Sequence, residues 1–201
     1  MRLVQFLEKN KLLSKKQFGF RQNCSTDDAI YELTSLLYSS IDSNKKALAV
    51  FLDLAKAFDT VDHQLLLRKL EDIGVRGVSL KLFKSYLTNR EMVVKIGEAN
   101  SSKNKLEYGV PQGTVLGPIL FIIYINNIFK LNINFKIITY ADDTAIIIEE
   151  SNWDRVFKLA NTTMKVIYEW LNNNLLTINV HKTVYVPFTV DKKTEPHANL
   201  T

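Results

Sequence analysis

Two adjacent aspartates, Asp142 and Asp143, interrupt an otherwise apolar stretch of the chain, the segment KIITYADDTAIII at 136–148. The residues on either side are mostly β-branched or aromatic, which predicts two strands joined by a hairpin with the aspartates at its turn. A third aspartate, Asp53, lies in the segment KALAVFLDL at 46–54. The apolar residues of this segment do not alternate with polar ones, so we predict a strand buried on both faces. If the two strands are neighbours in one sheet, the three carboxylates meet at one edge.

Carboxylates that share a partly desolvated place repel one another and raise each other's pKa. A divalent cation removes this conflict, and Mg²⁺ in particular prefers oxygen ligands and shares them with substrate phosphates. Two such ions, roughly 3.5–4 Å apart, can stabilise the attacking and the leaving oxygen of a phosphoryl displacement. A simpler alternative is that Asp142 and Asp143 are ordinary turn residues, since aspartate favours turns. The doublet by itself leaves both interpretations open.

Composition bounds the class of protein. The chain has 201 residues, of which 46% are hydrophobic and 23% charged, as in a globular protein rather than a disordered one. Its net charge of +5 permits a polyanionic partner without requiring one. A single cysteine cannot form an internal disulfide, which favours a reducing compartment. The sequence shows neither a signal peptide nor an apolar run long enough for a membrane span, so we predict an intracellular protein without a membrane partner.

The predicted elements alternate between helices and strands. Apolar residues at helical spacing predict helices at 25–43, 62–73, 79–89 and 152–173, and a helix apolar on nearly all sides at 114–129. Two more hairpins are predicted, one within 91–110 that turns around Ala99 and Asn100, and one at 175–188. Strand pairs joined this closely are antiparallel, so the predicted class is α+β, with helices packed against one antiparallel sheet.

Four segments, taken in order, resemble the reverse transcriptase domain of non-LTR retrotransposons of the LINE or jockey type. They are QFGFRQNCST at 17–26, FLDLAKAFDTVDH at 51–63, GVPQGTVLGPILF at 109–121 and the YADD block at 140–143. The resemblance implies a polymerase palm, an antiparallel sheet covered by helices on one face, with part of the fingers. It also implies an RNA-directed DNA polymerase, in which a primer 3′-hydroxyl attacks the α-phosphate of a dNTP. The segment at 51–63 makes an intron-encoded or telomere-type enzyme a weaker alternative.

The resemblance assigns catalytic roles to residues of three blocks. It implies that Asp53 and Asp142 bridge two Mg²⁺ ions, with Mn²⁺ as a possible substitute, and that Asp143 is a secondary ligand. It places Lys182, in the segment LTINVHKT at 176–183, near the leaving pyrophosphate, where a lysine can neutralise or protonate the departing oxygen. Phe58 matches the position whose ring excludes a ribose 2′-hydroxyl, although a core phenylalanine would look the same in sequence.

The same resemblance assigns contacts with the nucleic acid and the nucleotide. Gln112 and Gly113, in the segment PQGT, match a loop that contacts the template and the incoming base, and glycine allows close approach of the backbone. The alternative is a Pro-Gly turn that caps a buried helix. Arg21 matches an arginine that faces the triphosphate or the template, where a guanidinium pairs with phosphate oxygens. The implied partners are an RNA template, a DNA primer and a dNTP, and the sequence leaves the oligomeric state open.

Compared with that family, we expect a truncated chain. The predicted division is a partial fingers region at 1–45, a palm with the catalytic centre at 46–188 and a polar tail at 189–201. We expect the chain to lack three parts that the family usually has: the first block of the fingers, the thumb and an upstream endonuclease domain. A palm without a thumb loses many of the phosphate contacts on which affinity for nucleic acid depends. The alternative to an active enzyme is therefore a catalytically inactive remnant that at most binds nucleic acid.

Overall fold

The computed structural model describes residues 2–131 and 134–189. Its backbone forms two compact units. The sheet unit comprises Met1–Ala55 and Asn126–Thr201, and the helical unit comprises Lys56–Ile125. The predicted division into fingers, palm and tail follows other boundaries and stays a prediction. Of the predicted tail, only Thr189 is among the described residues.

The regular elements are numbered in chain order. Within the described residues, helices α1 to α6 span Arg2–Lys9, Thr26–Asp42, His63–Asp72, Gly77–Leu87, Leu116–Ile125 and Trp153–Asn173. Strands β1 to β8 span Lys46–Leu52, Arg90–Met92, Lys95–Ile96, Ala99–Asn100, Asn104–Leu106, Lys136–Tyr140, Asp143–Glu150 and Val184–Phe188. A 3₁₀ helix covers Asn126–Lys130. Each predicted helix is present, with ends that differ from the prediction by a few residues.

Strand β1 lies in the interior of the main sheet. The described strands of this sheet follow the order β6-β7-β1-β8, and every neighbouring pair is antiparallel. Leu52 pairs with Thr144 of β7, and Ala49 pairs with Ile147 of β7 and with Val186 of β8. Because β1 has a partner on each side and is buried along most of its length, the prediction of a buried strand is confirmed.

Helices contact both faces of this sheet. On one face, Leu37 of α2 packs with Ala47, Ile138 and Ile147 in a buried cluster. On the other face, Phe157 of α6 meets Tyr185 of β8 edge to face, with ring centroids 6.1 Å apart. The predicted α+β class is confirmed, and α2 adds partial cover to the face that the prediction had left without helices.

The start of α2 is fixed by a capping box. The backbone N–H of Asp28 donates to Ser25 Oγ at 3.2 Å, and the backbone N–H of Ser25 donates to Asp28 Oδ2 at 2.8 Å. These bonds satisfy donors that would otherwise lack a partner in the first turn of the helix. Ser25 is thus the N-cap of α2, and the helix begins within a residue of the predicted start at 25.

Helix α5 is the most apolar element of the helical unit. All its residues from Ile119 to Ile125 are buried, which confirms the predicted buried helix, although it ends at Ile125 rather than near residue 129. None of the helices in the described parts of the chain is long and apolar enough to cross a membrane.

Both smaller hairpin predictions need correction. In the helical unit, Ile96 pairs with Ala99, so the turn is Gly97-Glu98 and not Ala99-Asn100. Gly97 has φ +59°, a conformation that glycine adopts without steric cost. The residues at 175–188 do not pair with each other. Instead, Leu54 bridges Ile178 and β8 pairs with β1, because the exposed edge of β1 offers a long partner for the returning chain.

Glu149 of β7 connects α2 and the following turn to the sheet. It accepts hydrogen bonds from Ser40 Oγ, from Lys45 Nζ at 2.9 Å and from Lys136 Nζ at 3.0 Å. Burial by itself would raise the pKa of Glu149, but these hydrogen bonds outweigh it and lower the pKa to about 2. The ionised carboxylate therefore stabilises the packing of α2 against β6 and β7.

Because of this network, part of the folding stability depends on pH and is lost in acid. The pKa of Glu149 is lower in the folded chain, so its stabilisation is present above about pH 4.5 and is lost as the pH falls toward about 2. We expect Glu149→Gln to lower the free energy of unfolding at neutral pH by on the order of 2 kcal/mol, after discounting for solvent screening. The variant should also lose less stability than wild type between pH 4.5 and pH 2.

Urea unfolding at a series of pH values measures both effects. Glu150→Gln is the matched control, because Glu150 is the adjacent residue and its carboxylate accepts only from the backbone N–H of Ser151 among the hydrogen bonds found for it. The same acid dependence in Glu149→Gln and in wild type would contradict the assigned role.

Candidate active site

Asp53 and Asp143 occupy facing ends of two paired strands. Leu52 pairs with Thr144, so Asp53 follows β1 at the position where Asp143 begins β7. Side chains at such facing positions of an antiparallel pair lie on the same side of the sheet. The backbone of Asp53 is held as well: its carbonyl oxygen accepts from the N–H of Asn179 at 2.8 Å, and its N–H donates to Thr183 Oγ1 at 3.4 Å.

Asp142 lies in the turn between β6 and β7. Tyr140 pairs with Asp143, which leaves Ala141 and Asp142 as the two turn residues. Ala141 has φ +59°, in the left-handed region that a two-residue hairpin turn uses and that a residue with a Cβ adopts at a cost. The predicted hairpin is therefore present, with Asp143 already in the strand and Asp142 half-buried in the turn.

The three carboxylates interact electrostatically. Partial burial raises the pKa of Asp143, and the negative charges of Asp142 and Asp53 raise it further. Like charges act in this way because ionisation of one group disfavours ionisation of its neighbours. The protein itself therefore concentrates negative charge at this end of the sheet.

These side chains fit a divalent cation in donor type and in charge. Carboxylate oxygens are the ligands that Mg²⁺ prefers, and a cation would relieve the repulsion that acts on Asp143. Within residues 2–131 and 134–189, however, no three His, Cys, Asp or Glu side chains already have the arrangement of a metal site.

An open pocket of about 350 Å³ borders the carboxylates within the sheet unit. Asp53, Asp143 and Lys182 line it together, and Ile30 and Leu33 of α2 form part of its apolar wall. Lys182 is exposed. The two carboxylates can bind a divalent cation, and the lysine can bind an anion such as a phosphate. The pocket can therefore accept a ligand whose phosphate oxygens contact both the cation and the lysine. Asp142 is not among the residues that line this pocket.

Arg21 has partners within the protein. Its Nε and Nη2 donate to the two carboxylate oxygens of Glu8 at 2.9 and 2.7 Å, and its Nη1 donates to the carbonyl oxygens of Ser14 and Gln17 at 2.7 and 3.2 Å. The pairing lowers the pKa of Glu8 and raises that of Arg21. Contact of Arg21 with a phosphate, as predicted, would require exchange of the Glu8 carboxylate for the phosphate.

The other predicted residues lie in the helical unit. Phe58 is half-buried and its ring lies 4.5 Å from that of Phe121, centroid to centroid. Gln112 is exposed, and its Nε2 donates to Asp59 Oδ1 at 2.8 Å. Gly113 has φ +72°, and a Cβ there would meet no atom within 4 Å, so the backbone is open to a close approach. The turn and the nucleotide-contacting interpretations of this loop remain compatible.

Sequence reasoning did not single out one buried residue that contacts the aspartate turn. The side chain of Gln17 is 1% exposed and hydrogen-bonds both backbone groups of Ala141, the residue before Asp142. A polar residue two positions before a glycine, in QFG, is too common a pattern to indicate such a contact. The contact joins residues 124 positions apart, which only the fold brings together.

The sequence matches the family described as reverse transcriptase (RNA-dependent DNA polymerase) over residues 1–195. The chain therefore belongs to the reverse transcriptase family, as the order and composition of its motifs indicated.

Two of the relatives come from mobile elements. The chain is 29% identical to the probable RNA-directed DNA polymerase from transposon BS of Drosophila melanogaster, over 94% of its own length and 22% of that protein. It is 28% identical to the RNA-directed DNA polymerase from mobile element jockey of the same fly, over 93% of its length and 21% of that protein. These matches confirm the predicted likeness to jockey-type elements. The chain spans about a fifth of the length of these relatives.

Solved structures of telomerase share the fold. Telomerase from Candida tropicalis in complex with the TWJ fragment of telomeric RNA gives a TM-score of 0.70 at 16% identity, over 94% of this chain and 33% of that one. Apo telomerase from Candida tropicalis gives 0.66 at 18% identity, over 92% of this chain and 36% of that one. At such low identity the likeness shows the fold alone, and it confirms the predicted palm-type α+β fold.

The electrostatic contact between Asp53 and Asp143 can be measured without any substrate. Asp53→Asn removes one negative charge and retains the size of the side chain, so the pKa of Asp143 should fall toward its ordinary value. A ¹³C NMR titration of the Asp143 carboxyl group reports this change. Asp154→Asn, in the first turn of α6, is the control because Asp154 is not among the charges that act on Asp143. An Asp143 titration that is the same in both variants would argue against the contact.

Proposed function

We propose that this chain carries the catalytic centre of an RNA-directed DNA polymerase, which joins a dNTP to the 3′-hydroxyl of a primer on an RNA template. The observation that carries the proposal is the pairing of Leu52 with Thr144, which sets Asp53 and Asp143 at facing strand ends beside Asp142. Partial burial raises the pKa of Asp143, and the charges of Asp142 and Asp53 raise it further. Clustered carboxylates of this kind can bind divalent cations, and those cations can bind the phosphates of a substrate.

The proposed metal ligands are Asp53 and Asp142, with Asp143 as a secondary ligand. When bound, two Mg²⁺ ions, or Mn²⁺ in their place, supply Lewis-acid stabilisation of the oxygens that attack and leave in phosphoryl transfer. The chain's contribution is to hold the carboxylates at fixed strand ends. The two hydrogen bonds to the backbone of Asp53 limit its movement, and the pairing of β7 limits that of Asp143.

Lys182 supplies positive charge on the same pocket as Asp53 and Asp143. We propose that it binds the phosphates of the nucleotide and neutralises or protonates the departing pyrophosphate oxygen. Its exposed side chain is long enough to follow a phosphate without displacing any buried contact.

In the helical unit, we propose that the ring of Phe58 excludes the 2′-hydroxyl of a ribonucleotide. Packing on Phe121 limits the rotation of the Phe58 ring, and an immobile ring discriminates by shape better than a mobile one. Gln112 and Gly113 are proposed to contact the template and the incoming base, through an exposed amide and an accessible backbone. For Arg21, the proposal is a phosphate contact made after release of Glu8.

Primer extension tests the proposal. A labelled DNA primer annealed to an RNA template is incubated with the chain, dNTPs and Mg²⁺ or Mn²⁺. Asp53→Asn and Asp142→Asn should lower the rate by on the order of 10³-fold, because a metal ligand contributes several kcal/mol to the transition state. Asp154→Asn, which changes an exposed aspartate of α6 by the same chemistry, should retain the wild-type rate.

The pattern of outcomes separates an enzyme from a protein that only binds nucleic acid. Extension by wild type that is lost in both site variants supports the polymerase. Extension that persists in Asp53→Asn and Asp142→Asn would exclude these residues as ligands. Equal binding of the primer–template by all variants, with no extension by wild type, would support a nucleic-acid-binding remnant instead.

Sugar selection tests the role of Phe58. Phe58→Ala should raise the ratio of ribonucleotide to deoxyribonucleotide incorporation by at least about tenfold, since discrimination by a steric pocket is typically worth 10–200-fold. Phe58→Tyr retains the ring and should retain the selectivity. Single-nucleotide incorporation with matched dNTP and NTP pairs gives the ratio of kcat/KM values. An unchanged ratio in Phe58→Ala would leave Phe58 as a core residue that packs on Phe121.

A further inference from the structure

We propose that Gln17 and Gly19 form a clamp that positions the Asp142 turn. The proposal concerns how the metal ligands are held, and it rests on the proposed function of that turn. The clamp is made by the segment Lys16–Gly19, which lies 124 residues before the turn in the sequence but beside it in the sheet unit.

The side chain of Gln17 binds both backbone groups of Ala141. Its Oε1 accepts from the N–H of Ala141 at 3.1 Å, and its Nε2 donates to the carbonyl oxygen of Ala141 at 3.3 Å. The same Oε1 also accepts from the N–H of Gly19 at 2.7 Å. Gln17 is 1% exposed, so bulk water competes little for these bonds.

The peptide groups on either side of Gln17 connect to β6. The N–H of Thr139 donates to the carbonyl oxygen of Lys16 at 2.9 Å, and the N–H of Phe18 donates to the carbonyl oxygen of Thr139 at 2.8 Å. Gln17 and Thr139 thus form a parallel bridge at the edge of the sheet. The clamp is attached at the last residues of the strand that leads into the turn, so it cannot shift without moving that strand.

Gly19 lets the clamp approach the turn closely. A Cβ at this position would lie 2.0 Å from the nitrogen and 2.7 Å from the Cα of Ala141. Both atoms belong to the backbone, so no side-chain rotation could relieve the overlap. Any residue other than glycine must therefore force the segment at 16–19 and the turn apart.

Ala141 explains why a clamp is needed. Its φ of +59° is unfavourable for a residue with a side chain, and the unrestrained turn would relax toward other conformations. Bonds to both its N–H and its carbonyl oxygen fix the two peptide planes that precede Asp142. Those planes set the position of the Asp142 backbone from which the carboxylate side chain extends.

Two variants and one matched control test the clamp. Gln17→Met retains the volume of the side chain but not its hydrogen bonds, and Gly19→Ala inserts a methyl group against the turn. The control is Asn126→Leu. Asn126 makes a similar pair of bonds to the same N-terminal segment, from Ser14 N–H at 2.9 Å and to the Leu12 carbonyl oxygen at 2.9 Å, but none to the turn.

Hydrogen exchange gives a readout that needs no activity. In Gln17→Met and Gly19→Ala, the amide of Ala141 should exchange at least about tenfold faster than in wild type, whereas the amides of Ile146 and Ile147 in β7 should keep their rates. Asn126→Leu should leave the Ala141 amide unchanged. Retained protection of the β7 amides shows that each variant is folded.

Binding and kinetics supply the functional readouts. The affinity for Mn²⁺ alone, followed by its electron paramagnetic resonance signal, should fall at least about fivefold in both clamp variants and not in Asn126→Leu. In primer extension, kcat should fall by on the order of 10²-fold, as expected for ligands misplaced by about 1 Å, while KM for dNTP changes little.

The outcomes distinguish the clamp from the proposed function. Ala141 exchange that is as slow in Gln17→Met and Gly19→Ala as in Asn126→Leu would overturn the clamp, whatever the activity of the wild type. Faster exchange and weaker Mn²⁺ binding in the two clamp variants support it even if wild type extends no primer. In that case the polymerase proposal fails and the clamp stands as a feature of a cation site.

Discussion

The antiparallel pairing of β1 with β7 is the constraint on which the candidate active site depends. Once Leu52 faces Thr144, the aspartates that end one strand and begin the other have no freedom to separate by more than a side-chain rotation. Their proximity is imposed by the backbone hydrogen bonds of the sheet. Partial burial raises the pKa of Asp143, and the repulsion from Asp142 and Asp53 raises it further. A protein tolerates such a conflict when the surrounding structure is stable enough to impose it.

The rest of the sheet unit supplies that stability. β1 has a strand on each side, a helix on each face and a buried apolar row along most of its length. Toward the far end of β7, Glu149 joins the ends of α2 and β6 through three hydrogen bonds. The charged groups at the two ends of β7 thus have opposite effects. At one end opposite charges are paired and stabilise the fold, and at the other the like charges of Asp53, Asp142 and Asp143 repel one another.

The likeness to telomerase indicates that this backbone fold is compatible with very different sequences. A backbone with a TM-score of 0.70 is maintained at 16% identity. Strand pairing and the alternation of buried and exposed positions are properties of residue class, so many apolar residues satisfy them equally well. Other positions admit only one residue, as Gly19 does against the backbone of Ala141.

The sequence alone was enough to predict most of the helices, the central strand and the family of this protein. The period of apolar residues indicated the helices, the unbroken apolar run indicated the buried strand β1, and the motif order indicated the reverse transcriptase family. These features depend on near neighbours in the chain, where spacing and residue type carry the physics. For the same reason the start of α2, predicted at residue 25 and found at Thr26, was predictable.

Only the tertiary structure decided the contacts between distant segments. The residues at 175–188 resembled a hairpin because each half has strand-forming residues. In the structure β8 pairs with the edge of β1 instead. Arg21 looked free to bind phosphate, but the fold brings Glu8 to its guanidinium. Gln17 carried no local signal, because a glutamine acquires its role from the groups that folding places within hydrogen-bond distance. Sequence spacing determines local geometry, whereas partners more than a hundred residues away are chosen by the packing of the whole sheet unit.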